Sequence, residues 1–143
     1  MLGAEAYRLF AAMPRGDCLH GLCVLSALER DGLSDGDVAA AALLHDVGKG
    51  PHLNLMRRSV VVLLGAIWPG LIVRLASADG GPWRSAFHAH LHHAALGAEL
   101  CQRAGCAPAT VALVRWHGAP PPPGLDPALA GWLAALRAAD EAC

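Results

Sequence analysis

Leu43-Leu44-His45-Asp46-Val47-Gly48-Lys49 joins a helical apolar pattern, running from Val38 to Leu44, to an imidazole, a carboxylate, a glycine and a lysine in succession. The apolar pattern would carry this ending into a core. A lone carboxylate there costs several kcal/mol unless it is paired, protonated or bound to a cation, so Asp46 implies a partner, and a divalent metal is the simplest one. Gly48 is suited to ending the helix. Lys49 is the only lysine among eleven Lys and Arg residues. A compact ammonium beside a metal suits a phosphate group; the alternative for Lys49 is a solvated side chain favoured by the helix C-terminus.

Outward from this stretch, 143 residues are the length of one ordinary domain with room for a core. A single domain over 1–143 is expected, its core spanning about 17–143. Hydrophobic residues make up 55% and charged residues 16%, and alanine and leucine dominate, which favours an all-α fold. The formal net charge of −1 gives no basic field, and apart from Arg57-Arg58 the arginines are scattered, so nucleic acid is excluded as the expected partner. The five cysteines are odd in number and contain no Cys-x-x-Cys pair, so no disulfide framework or zinc knuckle is signalled. A reducing cytoplasm fits that pattern, as does the lack of a secretory leader pattern at the N-terminus. The longest apolar run, residues 60–73, is broken by Pro69-Gly70 and falls short of the about 20 residues that cross a bilayer. It reads as a kinked core helix; an interfacial membrane helix or a homodimer surface is the alternative.

Helical spacing then places the polar residues. Gly3–Met13 reads as a short helix stopped by Pro14, and Asp17 as the N-cap of a helix to about Asp31. On that helix His20 shares a face with Cys23, Val24, Ala27 and Leu28. Gly32 closes it, and Ser34 with Asp37 resembles a capping box for the next. After a turn at Gly50-Pro51, the long apolar segment and a loop through Asp79–Pro82, Ala86–Arg103 is helical and histidine-rich, with His88, His90, His92 and His93. His93 lies in register with Leu96, Gly97 and Leu100, whereas His92 is rotated by roughly 100°. Gly105 ends this helix and Pro108 opens the next, where His117 follows Leu113 and Val114 on the inward face. Pro120–Gly124 is extended. In a last helix from Pro127, Asp140 falls on the stripe of Leu129, Leu133 and Leu136.

His20, His45, Asp46, His93, His117 and Asp140 are therefore four imidazoles and two carboxylates, all expected inward. Buried charges pair or bind metals, and this donor set suits Mn, Fe, Co, Ni or Zn, with Mg also compatible with the carboxylates. Six donors exceed a tetrahedral structural zinc site. Two ions bridged by Asp46, or one ion with additional surrounding groups, are both compatible with them.

The order of a histidine, then His-Asp about 25 residues later in an HDxGK context, then a distant aspartate on a late helix, resembles the HD-domain superfamily of metal-dependent phosphohydrolases. The likeness spans His20 to Asp140. It implies a single bundle of about six to seven helices, with His20, His45, Asp46 and Asp140 as the central metal ligands. The segment from His93 to Leu100, and Arg115-Trp116-His117 after it, resemble the further histidine motifs of the two- and three-metal branches, which implies His93 and His117 as ligands too. The implied activity is cleavage of a phosphoester or phosphoanhydride of a phosphorylated small molecule, a nucleotide above all, by metal-activated water, with Asp46 and Lys49 as catalytic residues. The chain departs from two branches. Gly118-Ala119-Pro120 replaces a second histidine and Gly-Tyr-Pro after His117, and Gly50-Pro51-His52 replaces the Glu-Asp pair of the ppGpp hydrolases. A non-catalytic nucleotide- or metal-binding module acting through a partner surface is the alternative function, and a purely structural metal site a third.

Overall fold

The computed structural model describes residues 2–49 and 82–143. Among these residues the protein is all-helical and contains no strand. The chain divides into two compact units, Met1–Gly48 with Ala94–Cys143, and Lys49–His93. The Gly50-Pro51 turn, the apolar run 60–73 with its dimer alternative, and Arg57-Arg58 lie outside the described residues.

In the first unit, α1 spans Ala4–Ala11 and α2 Arg15–Arg30. Pro14, not Asp17, is the N-cap of α2, because the first helical bond runs from Cys18 N to Pro14 O at 3.0 Å. Asp17 lies inside the first turn instead, buried at the end where the helix favours an anion. The Cys18 thiol points back at the carbonyl oxygens of Phe10 and Met13, 3.3 and 3.6 Å away, and joins α1 to α2. Gly32 closes α2 as its spacing predicts: its φ is +82°, and Leu33 N bonds Leu28 O across it at 2.9 Å.

Helix α3 spans Gly36–Leu44. Its cap is Asp35 rather than Ser34, with the Asp35 carboxylate accepting from Asp37 N at 2.8 Å; Asp and Ser cap comparably, so the sequence did not separate two adjacent candidates. Immediately after α3 stand His45 and Asp46, then a short 3-10 turn over Val47–Lys49. Gly48 takes no left-handed conformation, so it is not the cap that its position after the apolar run suggested. Gly97 instead allows a close approach to this turn, since a Cβ on it would meet Gly48 N at 3.2 Å.

Helix α4, Pro82–Arg103, begins four residues before the expected Ala86, with proline at its first position. Its part from Ala94 onward belongs to the first unit and ends at Gly105, φ +73°, as expected. Helices α5, Pro108–Trp116, and α6, Pro127–Ala142, follow the expected proline starts. Asp126 caps α6 by accepting from Ala128 N and Leu129 N.

The core of the first unit is built from Val24 and Leu28 of α2, Val38 and Leu44 of α3, Leu113 and Val114 of α5, and Leu133 and Leu136 of α6. Ala6 of α1 joins it, with Leu9 and Phe10 against its edge, so the core starts earlier than residue 17. Two contacts, one a close backbone approach and one a side-chain hydrogen bond, tie neighbouring helices to α3. A Cβ on Gly21 would meet Ala42 O and Leu43 O, both at 3.2 Å, and α2 thereby lies directly against the last turn of α3. Thr110, fully buried on α5, places Oγ1 3.1 Å from the Asp37 carbonyl oxygen and ties α5 to the start of α3.

One covalent link was not legible in the cysteine pattern. Cys23 and Cys143 form a disulfide, Cα to Cα 6.0 Å, across a sequence separation of 120. No short-range spacing announces a bond between partners so distant, and the cysteines no longer argue for a reducing compartment. Cys18, Cys101 and Cys106 remain thiols.

Candidate metal centre

His45 and His117 directly follow α3 and α5 and Asp140 lies near the end of α6, whereas His20 lies within α2. His45 follows α3 and is 1% exposed; Asp46 beside it is 3% exposed. The His45 Nδ1 lies 2.9 Å from the Ala42 carbonyl oxygen. A carbonyl only accepts, so Nδ1 carries the proton and Nε2 presents a lone pair. His117, the residue after α5, repeats this arrangement: its Nδ1 donates to Val114 O at 2.7 Å, which leaves Nε2 as the outward donor atom. Backbone carbonyls hold metal-binding histidines in this way, fixing tautomer and ring orientation.

The His45 Nε2 is the most informative atom in the protein. It lies 3.3 Å from Asp140 Oδ1 and 3.6 Å from Asp46 Oδ2, yet it makes no aligned hydrogen bond. Two carboxylates thus flank a buried nitrogen lone pair. Acceptor faces acceptor, and only a positive charge between them, a proton or a metal ion, resolves the contact.

Around this atom the first unit gathers five of the six expected ligands. Donor atoms of His20, His45 and Asp46 all lie within 4.8 Å of one another, and Asp46 and His117 are within the same limit of each other. His20 Nε2 is 2.7 Å from Asp140 Oδ1. The His45 ring centroid is 5.2 Å from that of His20 and 5.2 Å from that of His117, edge-on to both. Asp46 is therefore near His20 and His45 as well as His117, the position a bridging carboxylate would take. The sixth residue, His93, is half-buried on α4 and is the last residue of the second unit, one position before Ala94; His92 is exposed, the order the helical register predicts. Lys49 closes the 3-10 turn and is the first residue of the second unit.

Electrostatics follow from the same contacts. Burial, the largest single influence on His45, pulls its pKa down, but Asp140, Asp46 and the Ala42 carbonyl together outweigh it and set the pKa above the ordinary 6.5. Asp140 is held well below the usual carboxylate range, first by the His45 imidazole and then by His20, against the upward pull of burial. The raised pKa of His45 and the depressed pKa of Asp140 both reflect an environment that favours a positive charge at His45 Nε2, from a proton or a cation.

Arg137 is a residue the sequence reading passed over. Its Nε donates to His117 O at 3.0 Å, and its Nη2 to Trp116 O at 2.6 Å and to Ala119 O. One guanidinium thus holds three carbonyls at the C-terminus of α5, where the helix is electronegative, and fixes the backbone that carries His117. The available signal was its position one turn before Asp140 on α6. Beside it opens a cleft of about 520 Å³, walled by His117, Asp140, Arg137, Glu141 and the Pro120-Pro121 segment. That volume is in the range of small-molecule sites, and the proline-rich loop forms its rim.

The residues fit a divalent metal: two imidazoles pre-set in the tautomer that exposes Nε2, a third imidazole, two carboxylates, and a buried nitrogen in need of a positive charge. No family model, curated protein or solved structure matches the chain. No described helix is long and apolar enough to cross a membrane.

Proposed function

We propose that the protein is a metal-dependent phosphohydrolase, acting on a phosphoester or phosphoanhydride of a nucleotide-like small molecule. The observation that carries this reading is the His45 Nε2, buried without a hydrogen-bond partner between Asp46 and Asp140. The resemblance of the His45-Asp46-Val47-Gly48-Lys49 stretch and its partners to HD-domain phosphohydrolases supplies the chemical class.

His20, His45, Asp46, His117 and Asp140 would hold one or two divalent ions, of Mn, Fe, Co, Ni, Zn or Mg, and His93 is the further ligand that its motif implies. A divalent ion in such a site lowers the pKa of a water and offsets charge on phosphoryl oxygens. The chain's own residues do the rest. Asp46, fixed by burial, orients the ions; the Nδ1 bonds of His45 and His117 keep both Nε2 atoms aimed; the 520 Å³ cleft beside His117 and Asp140 receives the body of the substrate and excludes bulk water from one side. Lys49 is the residue proposed to hold a non-bridging phosphate oxygen.

The test is a screen of phosphomonoesters, phosphodiesters and nucleoside polyphosphates with each metal, wild type against Asp46→Ala. Metal-dependent turnover by the wild type that falls at least about a hundredfold in the variant supports the reading, on the scale of losing one group that stabilises the transition state. Equal turnover by both proteins refutes it. Metal and nucleotide binding without turnover of any substrate would instead favour the regulatory module.

A further inference from the structure

We infer that the Cys23–Cys143 disulfide is a covalent positioning element for the metal centre, and that its reduction lowers the affinity of the site for metal. This rests on the proposed metal-binding reading of the same site.

Two bridges join α2 to α6, and they are in register. His20 meets Asp140 through Nε2 and Oδ1 at 2.7 Å, at a sequence separation of 120; Cys23 meets Cys143 through sulfur, at the same separation of 120. Each cysteine follows its ligand by three residues, Cys23 within α2 about 4.5 Å further along the axis and Cys143 as the C-cap of α6. The two helices therefore run parallel along this seam, and the cross-link sits one step beyond the ligand pair. Among the described residues no buried apolar side chain of α6 lies beyond Ala139 to perform this task. On α6 the buried residues are Leu133, Leu136 and Ala139, all before Asp140, whereas Glu141, Ala142 and Cys143 are exposed. Packing thus anchors α6 up to Ala139, and beyond it the disulfide fixes the separation of the turn that carries Asp140 from the turn that carries His20.

Both cysteines are exposed, so the bond is open to a small reductant. With a monothiol the exchange consumes two thiols, which leave joined as one disulfide, and returns Cys23 and Cys143 as two thiols; the two electrons come from the reductant. Freed of the link, the end of α6 gains access to conformations that separate Asp140 from His20. Ligands that must then be reordered on binding hold an ion more weakly.

The experiment compares Mn²⁺ affinity, read by electron paramagnetic resonance of free ion, for the oxidised protein, the protein reduced with a phosphine and desalted without air, and the Cys23→Ser/Cys143→Ser variant. Manganese prefers imidazole and carboxylate to thiolate, so the released thiols do not compensate. Reduced protein and variant are expected to bind about tenfold or more weakly than oxidised protein, with helix content by circular dichroism retained and tight binding recovered on reoxidation of the wild type. Affinities equal within about twofold would overturn the inference and leave the metal centre standing. Should even the oxidised protein bind no Mn²⁺, the metal reading falls by itself, and the His20 ring resonances, recorded without metal, decide the clamp: they move on reduction if the disulfide positions His20 against Asp140, and their constancy refutes it.

Discussion

Nε2 of His20 and Oδ1 of Asp140 meet at 2.7 Å from positions 120 residues apart, and the same aspartate oxygen lies 3.3 Å from His45 Nε2. One carboxylate oxygen thus faces two imidazoles, and the ionisation of Asp140 is coupled to that of His45.

The pH dependence of stability follows from that pair. His45 has a raised pKa, so its contribution to folding is complete below its unfolded value of 6.5 and is lost as pH rises through the folded value. Asp140 has a depressed one, so its contribution is present above its unfolded value of 3.8 and is lost only as pH falls through the much lower folded value. The metal-free protein is expected to be most stable between those two unfolded values. Its melting temperature should fall from pH 6 to pH 9. Metal requires the His45 Nε2 unprotonated, so the rise in melting temperature on adding Mn²⁺ should grow over the same interval. A metal-free melting temperature that climbs with pH in that interval would contradict the pairing.

Gly21 tests whether helix contact sets the histidine. Alanine there has a helix-propensity advantage of about 1 kcal/mol, but its Cβ would press on Ala42 O and Leu43 O at 3.2 Å, at a cost of about 1 to 3 kcal/mol. Ala42 O is also the acceptor that fixes His45 Nδ1. Gly21→Ala should therefore lower stability by about 1 kcal/mol in chemical denaturation and weaken Mn²⁺ binding together. A more stable variant with wild-type affinity would show that α3 yields without disturbing His45.

Arg137 should behave as a backbone clasp. Removing its charge-assisted bonds to Trp116, His117 and Ala119 in Arg137→Met is expected to cost about 2 kcal/mol of stability, and Arg137→Lys should restore only part of it, since one ammonium cannot reproduce the planar fork. Equal stability of lysine and arginine proteins would reduce the role to charge alone.

Residues whose partners lie within a turn were the legible ones. The register of His20 with Val24 and Leu28, of His117 with Leu113 and Val114, and of Asp140 with Leu133 and Leu136 follows from the helical period, and the glycine and proline ends of α2, α4, α5 and α6 follow from backbone chemistry. Ser34 was misplaced as a cap because the adjacent Asp35 fills the same role, and Asp17 because α2 starts at Pro14 without a side-chain cap and takes Asp17 into its first turn. The Cys23–Cys143 bond, the three carbonyls under Arg137 and the fit of Gly97 over Gly48 depend on tertiary contact between distant segments, and no periodicity encodes which residues those contacts bring together.

A cation held between His45, Asp46 and Asp140 should be detectable as bound metal. Elemental analysis of freshly purified wild-type protein, and of the same protein reconstituted with Mn, Fe, Co, Ni or Zn, would be set against Asp46→Ala treated identically. At least one bound ion per wild-type chain, lost in the variant while its helix content is retained, is the predicted result. A wild-type protein that stays metal-free after reconstitution with every one of these ions would rule out a metal centre.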